Sequence, residues 1–230
     1  MKKVGLVTLV FAILFVTACR PKKDDPTPEN DYFTSVNLEM SHHVWVGKDS
    51  AYGVNGWSGS AILIDRFNKQ VQIDSVSLNG TNLKYDTLNH QYSSEIIDTS
   101  KCVWAMKGKN GVPDFNYINT VGMPVYTGYD LLPDSIDISQ DLVIPCIGMT
   151  NADNFAISIL SFTGTQVTSS FVNIGPSSFT FKSSQLSNFQ KGDYAFLSML
   201  VIRENDTQSV PTASFFLHNS FVAFKMVRIY

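Results

Sequence analysis

SVSLNGTNLKYD, residues Ser75 to Asp86, reads as a β-hairpin and sets the class of the whole chain. Val76 and Leu78 alternate with serines, and Leu83 and Tyr85 alternate with polar neighbours. Asn79-Gly80 between them supplies the positive φ angles of a tight two-residue turn. The same period of two recurs upstream at Val36, Leu38 and Met40, at His42, Val44 and Val46, at Ala61 to Ile64, and at Val71 and Ile73. Downstream, WAMKGKNGVPDFNY (Trp104 to Tyr117) reads as a strand, a glycine-rich turn and a second strand, with Pro113 at an edge or strand start. No segment keeps a 3.6-residue apolar period over ten residues, so the spacing predicts an all-β chain of antiparallel strands.

A break falls near Gly128 to Pro133, after which the pattern restarts. Strands are expected at Leu142 to Ile147, Phe155 to Phe162, Val167 to Ile174 and Phe179 to Phe181, then one helical turn at Ser183 to Phe189. From Gly192-Asp193-Tyr194 a long strand runs to Ile202 with both faces apolar, as at the centre of a sandwich, and Phe215 to Leu217 and Phe221 to Ile229 follow. Leu186, a short loop and then Tyr194 entering that strand resembles the tyrosine corner of immunoglobulin-like sandwiches. The expected architecture is two tandem antiparallel β-sandwich domains, 31–129 and 130–230, the second immunoglobulin-like.

The first thirty residues carry an address. Lys2 and Lys3 precede the apolar run Val4 to Phe15, which is too short to span a bilayer and has the layout of a secretory h-region. Val16-Thr17-Ala18-Cys19 then resembles a bacterial lipobox. The resemblance implies a lipoprotein signal peptide over 1–18 and acylation of Cys19 as the first mature residue. Residues 19–30 include RPKKDDPTPEN, a proline-rich, charged stretch suited to a flexible tether. Within it Lys23-Asp24-Asp25 resembles the export tag of Bacteroidota surface lipoproteins; its other reading is a solvated spacer. Asp-Ser/Thr before an apolar residue resembles the O-glycosylation pattern of that phylum. It occurs four times, which marks Ser50, Ser75, Thr87 and Ser135 as candidate acceptors.

Composition removes several classes. The chain has 17 basic and 20 acidic residues, and loss of Lys2 and Lys3 with the signal peptide takes the net charge from −3 to −5. That mild acidity argues against a nucleic-acid partner. With 16% charged, 44% hydrophobic and 12% aromatic residues the mature chain is globular. Cys102 and Cys146, each in an apolar run, are open to a disulfide in an exported compartment or to burial as free thiols. Neither has a second Cys or a His at metal-ligand spacing, so no metal or other cofactor is expected. His42 and His43, adjacent on a strand, point to opposite faces. Gly56-Trp57-Ser58-Gly59-Ser60 has the wrong spacing for a nucleophile elbow. Asp130, Asp134, Asp137 and Asp141 lack the dense spacing of a calcium loop and read as surface turns. No catalytic residue is assigned.

The remaining surface candidate is the loop Lys48 to Gly59, KDSAYGVNGWSG, whose Tyr52 and Trp57 either cap the core or stack on a ligand such as a sugar ring. The organisation resembles the small tandem-sandwich lipoproteins of the Bacteroidota. That resemblance implies an outer-membrane, lipid-anchored protein, exposed at the cell surface or on the periplasmic face. The expected role is a non-enzymatic binding or structural accessory module, with a glycan or a surface protein as partner. The alternative is a surface hydrolase acting on glycans, which a cleft with carboxylates about 5 to 10 Å apart would favour.

Overall fold

The computed structural model describes residues 35–46, 55–65, 67–96, 101–109, 114–119, 122–170, 172–210 and 213–230, with backbone alone at 96, 205–210 and 213–215. Asp31–Tyr230 forms one compact unit. Its first strands are β1 (Ser35–Val46), β2 (Gly56–Ile64), β3 (Ser75–Leu78), β4 (Thr81–Asn82), β5 (Lys84–Asp86), β6 (Gln91–Ile96), β7 (Cys102–Lys107) and β8 (Phe115–Asn119). Then come β9 (Val125–Tyr126), a 3₁₀ turn (Gly128–Leu131), β10 (Ser135–Ile136), β11 (Leu142–Pro145), β12 (Met149–Thr150), β13 (Asn154–Ser161), β14 (Gln166–Thr168) and β15 (Val172–Asn173). The last are β16 (Ser178–Phe181), the single turn α1 (Ser183–Leu186), β17 (Tyr194–Val210) and β18 (Ala213–Ile229). The protein is all-β, with an architecture consistent with a β-sandwich.

The turn in the opening stretch forms as its residues require. Asn79 and Gly80 both adopt positive φ, 52° and 78°, and Leu78 pairs with Thr81. The second arm differs from expectation. Leu83 still donates its N–H to the Val76 carbonyl, but Lys84–Asp86 leave to pair with β6, in a different sheet. Leu83, nearly fully buried, is where the chain crosses from one layer to the other.

One ten-stranded sheet runs through both halves of this unit, in the order β14-β13-β17-β18-β1-β2-β6-β5, with β10 and β15 added at the side. At its centre β1 and β18 pair in parallel over twelve residues, from Ser35 opposite Ser214 to Val46 opposite Lys225. A purely antiparallel arrangement was expected; the parallel join arises because the first and last long strands lie side by side. A second layer covers one face in two places. The four-stranded sheet β4-β3-β7-β8 closes a core with Val36, Leu38, Met40, Leu63, Val76, Leu78 and Trp104. The small sheets β11-β16 and β12-β9, with Leu186 and Phe189, close another around Ile144, Phe155, Ile157, Phe181, Leu197, Met199 and Val201. The expected halves 31–129 and 130–230 do not divide the two cores: Val46 and Tyr126 join the core built around Phe155, Leu217 joins the one built around Leu38, and backbone ladders continue from one to the other. Phe221 and Leu217, four residues apart on β18, belong to different cores.

The tyrosine corner does not form. Leu186 is fully buried, but Tyr194 is 47% exposed and lies on the opposite face of the long sheet from the core. The hydroxyl that ties loop to strand is Tyr92: it donates to the Ile73 carbonyl at 2.7 Å and accepts the Ile73 N–H at 2.8 Å. Cys102 and Cys146 are free, buried, and in separate cores, which leaves the disulfide unformed. Burial pushes both thiols up to about 11, so both stay protonated and unreactive at neutral pH.

Candidate functional site

The strand period of two gives the long sheet a second face, away from both cores. On β1 that face carries Asn37, Glu39, Ser41, His43 and Trp45, since Val36, Leu38 and Met40 are buried in the core on the other. Pairing places Ser58 and Ser60 beside Ser41 and Glu39, His218 and Ser220 on their other side, and Phe224 next to Trp45. Phe224 in turn faces Ser198, Met226 faces Phe196, and Arg228 faces Tyr194. The face divides into a polar band at mid-length and an aromatic zone at the end where β1 finishes.

In the polar band Glu39 is the hub. Its Oε1 accepts Ser41 Oγ at 2.8 Å and Ser220 Oγ at 2.6 Å, Oε2 accepts Ser60 Oγ at 3.4 Å, and His218 Nε2 stands 3.6 Å away. Burial works to raise this carboxyl, but the His218 imidazole and the two serine hydroxyls outweigh it and hold it at about 2. Glu39 is therefore an anion with its lone pairs engaged, suited to fixing strands rather than to giving a proton. His43 contacts Ser58 Oγ through Nε2 at 2.7 Å. A serine on an imidazole is half of a nucleophilic relay, but the carboxylate of the band faces His218 rather than His43. Desolvation lowers the His43 pKa, with Glu39 opposing and His42 adding to the shift.

In the aromatic zone the rings touch in a row. Phe162 and Phe196 meet edge to face at 4.9 Å, Trp45 and Phe196 at 5.9 Å, and His43 stacks on Phe224 at 6.1 Å with planes 10° apart. Phe162 is 51% exposed, and Trp45, Phe196 and Phe224 are half-buried. Rings in edge-to-face contact hold one another's orientation. The result is an aromatic strip that continues the apolar stretch of the face around Leu200 and Val222 out to solvent at Phe162.

The residues singled out from sequence fall elsewhere. Trp57 belongs to strand β2 instead of a loop. Its ring lies on His42 at 4.3 Å with planes 9° apart and packs against the core. That packing is the capping reading of Trp57, whose ring stays partly exposed. His42 and His43 do point to opposite faces, as their adjacency requires. Ser75 opens β3, Thr87 is exposed in the turn that the Asp86 carboxylate caps through Leu88 N at 2.8 Å, and Ser135 is exposed in β10. Asp134, Asp137 and Asp141 take separate partners: Lys225, Ser139 and Lys182. Cys19, Lys23, Asp24, Asp25, Ser50 and Tyr52 lie outside the described residues. Among the described residues no three His, Cys, Asp or Glu side chains are grouped to hold a metal ion.

Sequence reasoning missed the aromatic strip. Its signal lies in Phe162 and Phe196, but apolar residues on both faces of a strand read equally well as a strand covered on both sides. Comparison of the sequence with protein-family models and with curated proteins found no match.

Proposed function

We propose that this protein is a lipid-anchored, cell-surface binding module without catalysis of its own, and that it holds a glycan on the strip formed by Phe162, Phe196 and Trp45. The observation that carries the reading is the edge-to-face row with Phe162 half in solvent. Preoriented rings offer apolar faces to sugar C–H groups at little entropic cost. The strip lies at the end of β1 opposite to Ser35, about 35 Å along the strand. Acylated Cys19 would hold the protein to the membrane, with Lys23-Asp24-Asp25 as the signal that carries it to the outer face. Ser75 and Thr87, at a strand start and in a turn, suit O-glycosylation of the periphery rather than the strip.

The hydrolase alternative draws no support from the polar band, because Glu39 holds no proton at neutral pH and its oxygens are already engaged. The test is a glycan array probed with the mature chain, residues 19–230, kept in solution by Cys19→Ser. Binding to one glycan class that Phe162→Ala weakens by roughly tenfold or more, with the melting temperature kept, is the expected result. Capture of a protein instead of any glycan, or binding indifferent to Phe162→Ala, rules the reading out. Anchoring is checked separately: Cys19→Ser should abolish palmitate labelling in cells, and alanine at Lys23, Asp24 and Asp25 should reduce protease shaving of intact cells.

A further inference from the structure

Beside the aromatic strip lies an open cleft of about 670 Å³ lined by Ser135, Lys191, Gly192, Arg228, Ile229 and Tyr230. Arg228 lines the cleft and lies one row beyond the strip. It stands directly opposite Tyr194 on the outer face of the sheet, one alternate position beyond Met226, which faces Phe196. Tyr194 in turn accepts the Phe162 N–H through its carbonyl at 3.2 Å, so strip and cleft meet at these residues. From the Trp45 and Phe224 row to the Arg228 row is four residues along β18, about 13 Å, which suits several linked sugar rings rather than one.

The charges around this cleft are unevenly committed. Asp134 pairs with Lys225 at 2.7 Å, Asp137 accepts both the N–H and the hydroxyl of Ser139, and Asp193 accepts the Thr163 hydroxyl at 3.1 Å. Lys191 lies near enough to Asp137 to help lower its pKa, behind the Ser139 hydrogen bonds. Among the described residues neither Lys191 nor Arg228 forms an ion pair. Asp137 and Asp193 keep their negative charge, since their partners are neutral N–H and hydroxyl groups, so it is the guanidinium and ammonium outside any ion pair, next to a strip of rings, that suit a ligand with sugar faces and an acidic group. A guanidinium fork matches a carboxylate or a sulfate ester in two parallel hydrogen bonds, and an ammonium adds a point charge.

Building on the glycan reading above, we infer that the ligand is an anionic polysaccharide, its rings on Phe162 and Phe196 and its carboxylate or sulfate groups on Arg228 and Lys191. The experiment is isothermal titration of the mature chain (residues 19–230, Cys19→Ser) with polygalacturonate and with the carboxyl-reduced polymer of equal length. Dextran sulfate against dextran repeats the comparison for sulfate esters. The expected result is roughly tenfold tighter binding of one acidic polymer than of its neutral counterpart at low salt, shrinking as salt screens the exposed charges. Lys191→Gln with Arg228→Gln should erase that preference and leave neutral binding unchanged, while Phe162→Ala should weaken both. Equal affinity for acidic and neutral polymers, or a preference that survives the double substitution, overturns the anion site and leaves the aromatic strip standing. Binding that survives Phe162→Ala but is lost in the double variant overturns the strip and keeps the cation pair. Absence of binding to all four polymers overturns the anionic-glycan assignment, and the glycan array then decides the broader reading.

Discussion

The two faces of the ten-stranded sheet are built from the same strands, yet they do different things. Toward the cores, β1 and β17 present Val36, Leu38, Met40, Leu197, Met199 and Val201, all at or below 1% exposed. One position along, the same strands present Glu39, Ser41, His43, Trp45, Phe196 and Ser198, which are half-buried apart from the well-covered Ser41. The first set is aliphatic and interchangeable by volume; the second is polar or aromatic and specific by geometry. A single-residue slip would exchange the sets, so the register that makes the protein stable also fixes the candidate binding surface.

That contrast can be tested by substitutions graded in their cost. Trp104→Ala, in the core and 1% exposed, should destabilise by about 4 kcal/mol in denaturant titration, the usual cost of deleting a buried indole. Next comes acid. Glu39, its side chain 16% exposed, is held at about 2 against an ordinary value of 4.5. As pH falls through 4.5 the unfolded chain takes up a proton that the folded chain refuses until about 2. The stabilisation present above 4.5 is therefore lost across that window, about 3 kcal/mol in all. Denaturation curves at pH 6 and at about pH 2.5 should show a larger loss in the native protein than in Glu39→Gln, which starts lower and keeps only the acid sensitivity of Asp86, Asp134, Asp137 and Asp141. Trp57→Ala should cost about 2 kcal/mol, because its ring is partly buried on His42, and should leave glycan affinity intact. An unchanged melt with lost binding would return Trp57 to the ligand surface. Tyr194→Phe should move stability by less than about 0.5 kcal/mol, since its ring is half exposed. A larger loss would mean that its hydroxyl ties the fold as a tyrosine corner does.

Local chemistry was readable where it acts locally. Asn79-Gly80 announced its turn, and the alternation of Val36, Leu38 and Met40 announced their shared face. What escaped was non-local. Nothing in the period of β1 says that its neighbour is β18, because pairing partners are chosen by packing of whole layers. The break near Gly128 to Pro133 is likewise a local signal: it does not show that Val46 and Tyr126 pack with the later strands, that Leu217 packs with the earlier ones, or that all share one sheet. The strip on the outer face was hidden by an ambiguity of composition, since Phe196 and Leu200 look alike whether a second layer covers them or not. Trp57 misled in the opposite direction, its glycine neighbours suggesting a loop where Ser41 opposite Ser58 fixes a strand.

The parallel join of β1 and β18 has a consequence for the order of events when the chain first folds. Ser41 and Ser220 touch at 2.7 Å across 179 residues of sequence. The central pair of the sheet must therefore wait until the chain through residue 225 has emerged, whether from a ribosome or through a membrane. Until then the outer edge of β1 has β2 on one side and an unpaired row of N–H and C=O groups on the other. Closing so large a loop before its contacts reward it is entropically slow. Refolding from denaturant should thus be slow for a protein of this size. A nascent chain stalled before residue 213 would be exposed to aggregation at the very strand that later becomes its most protected.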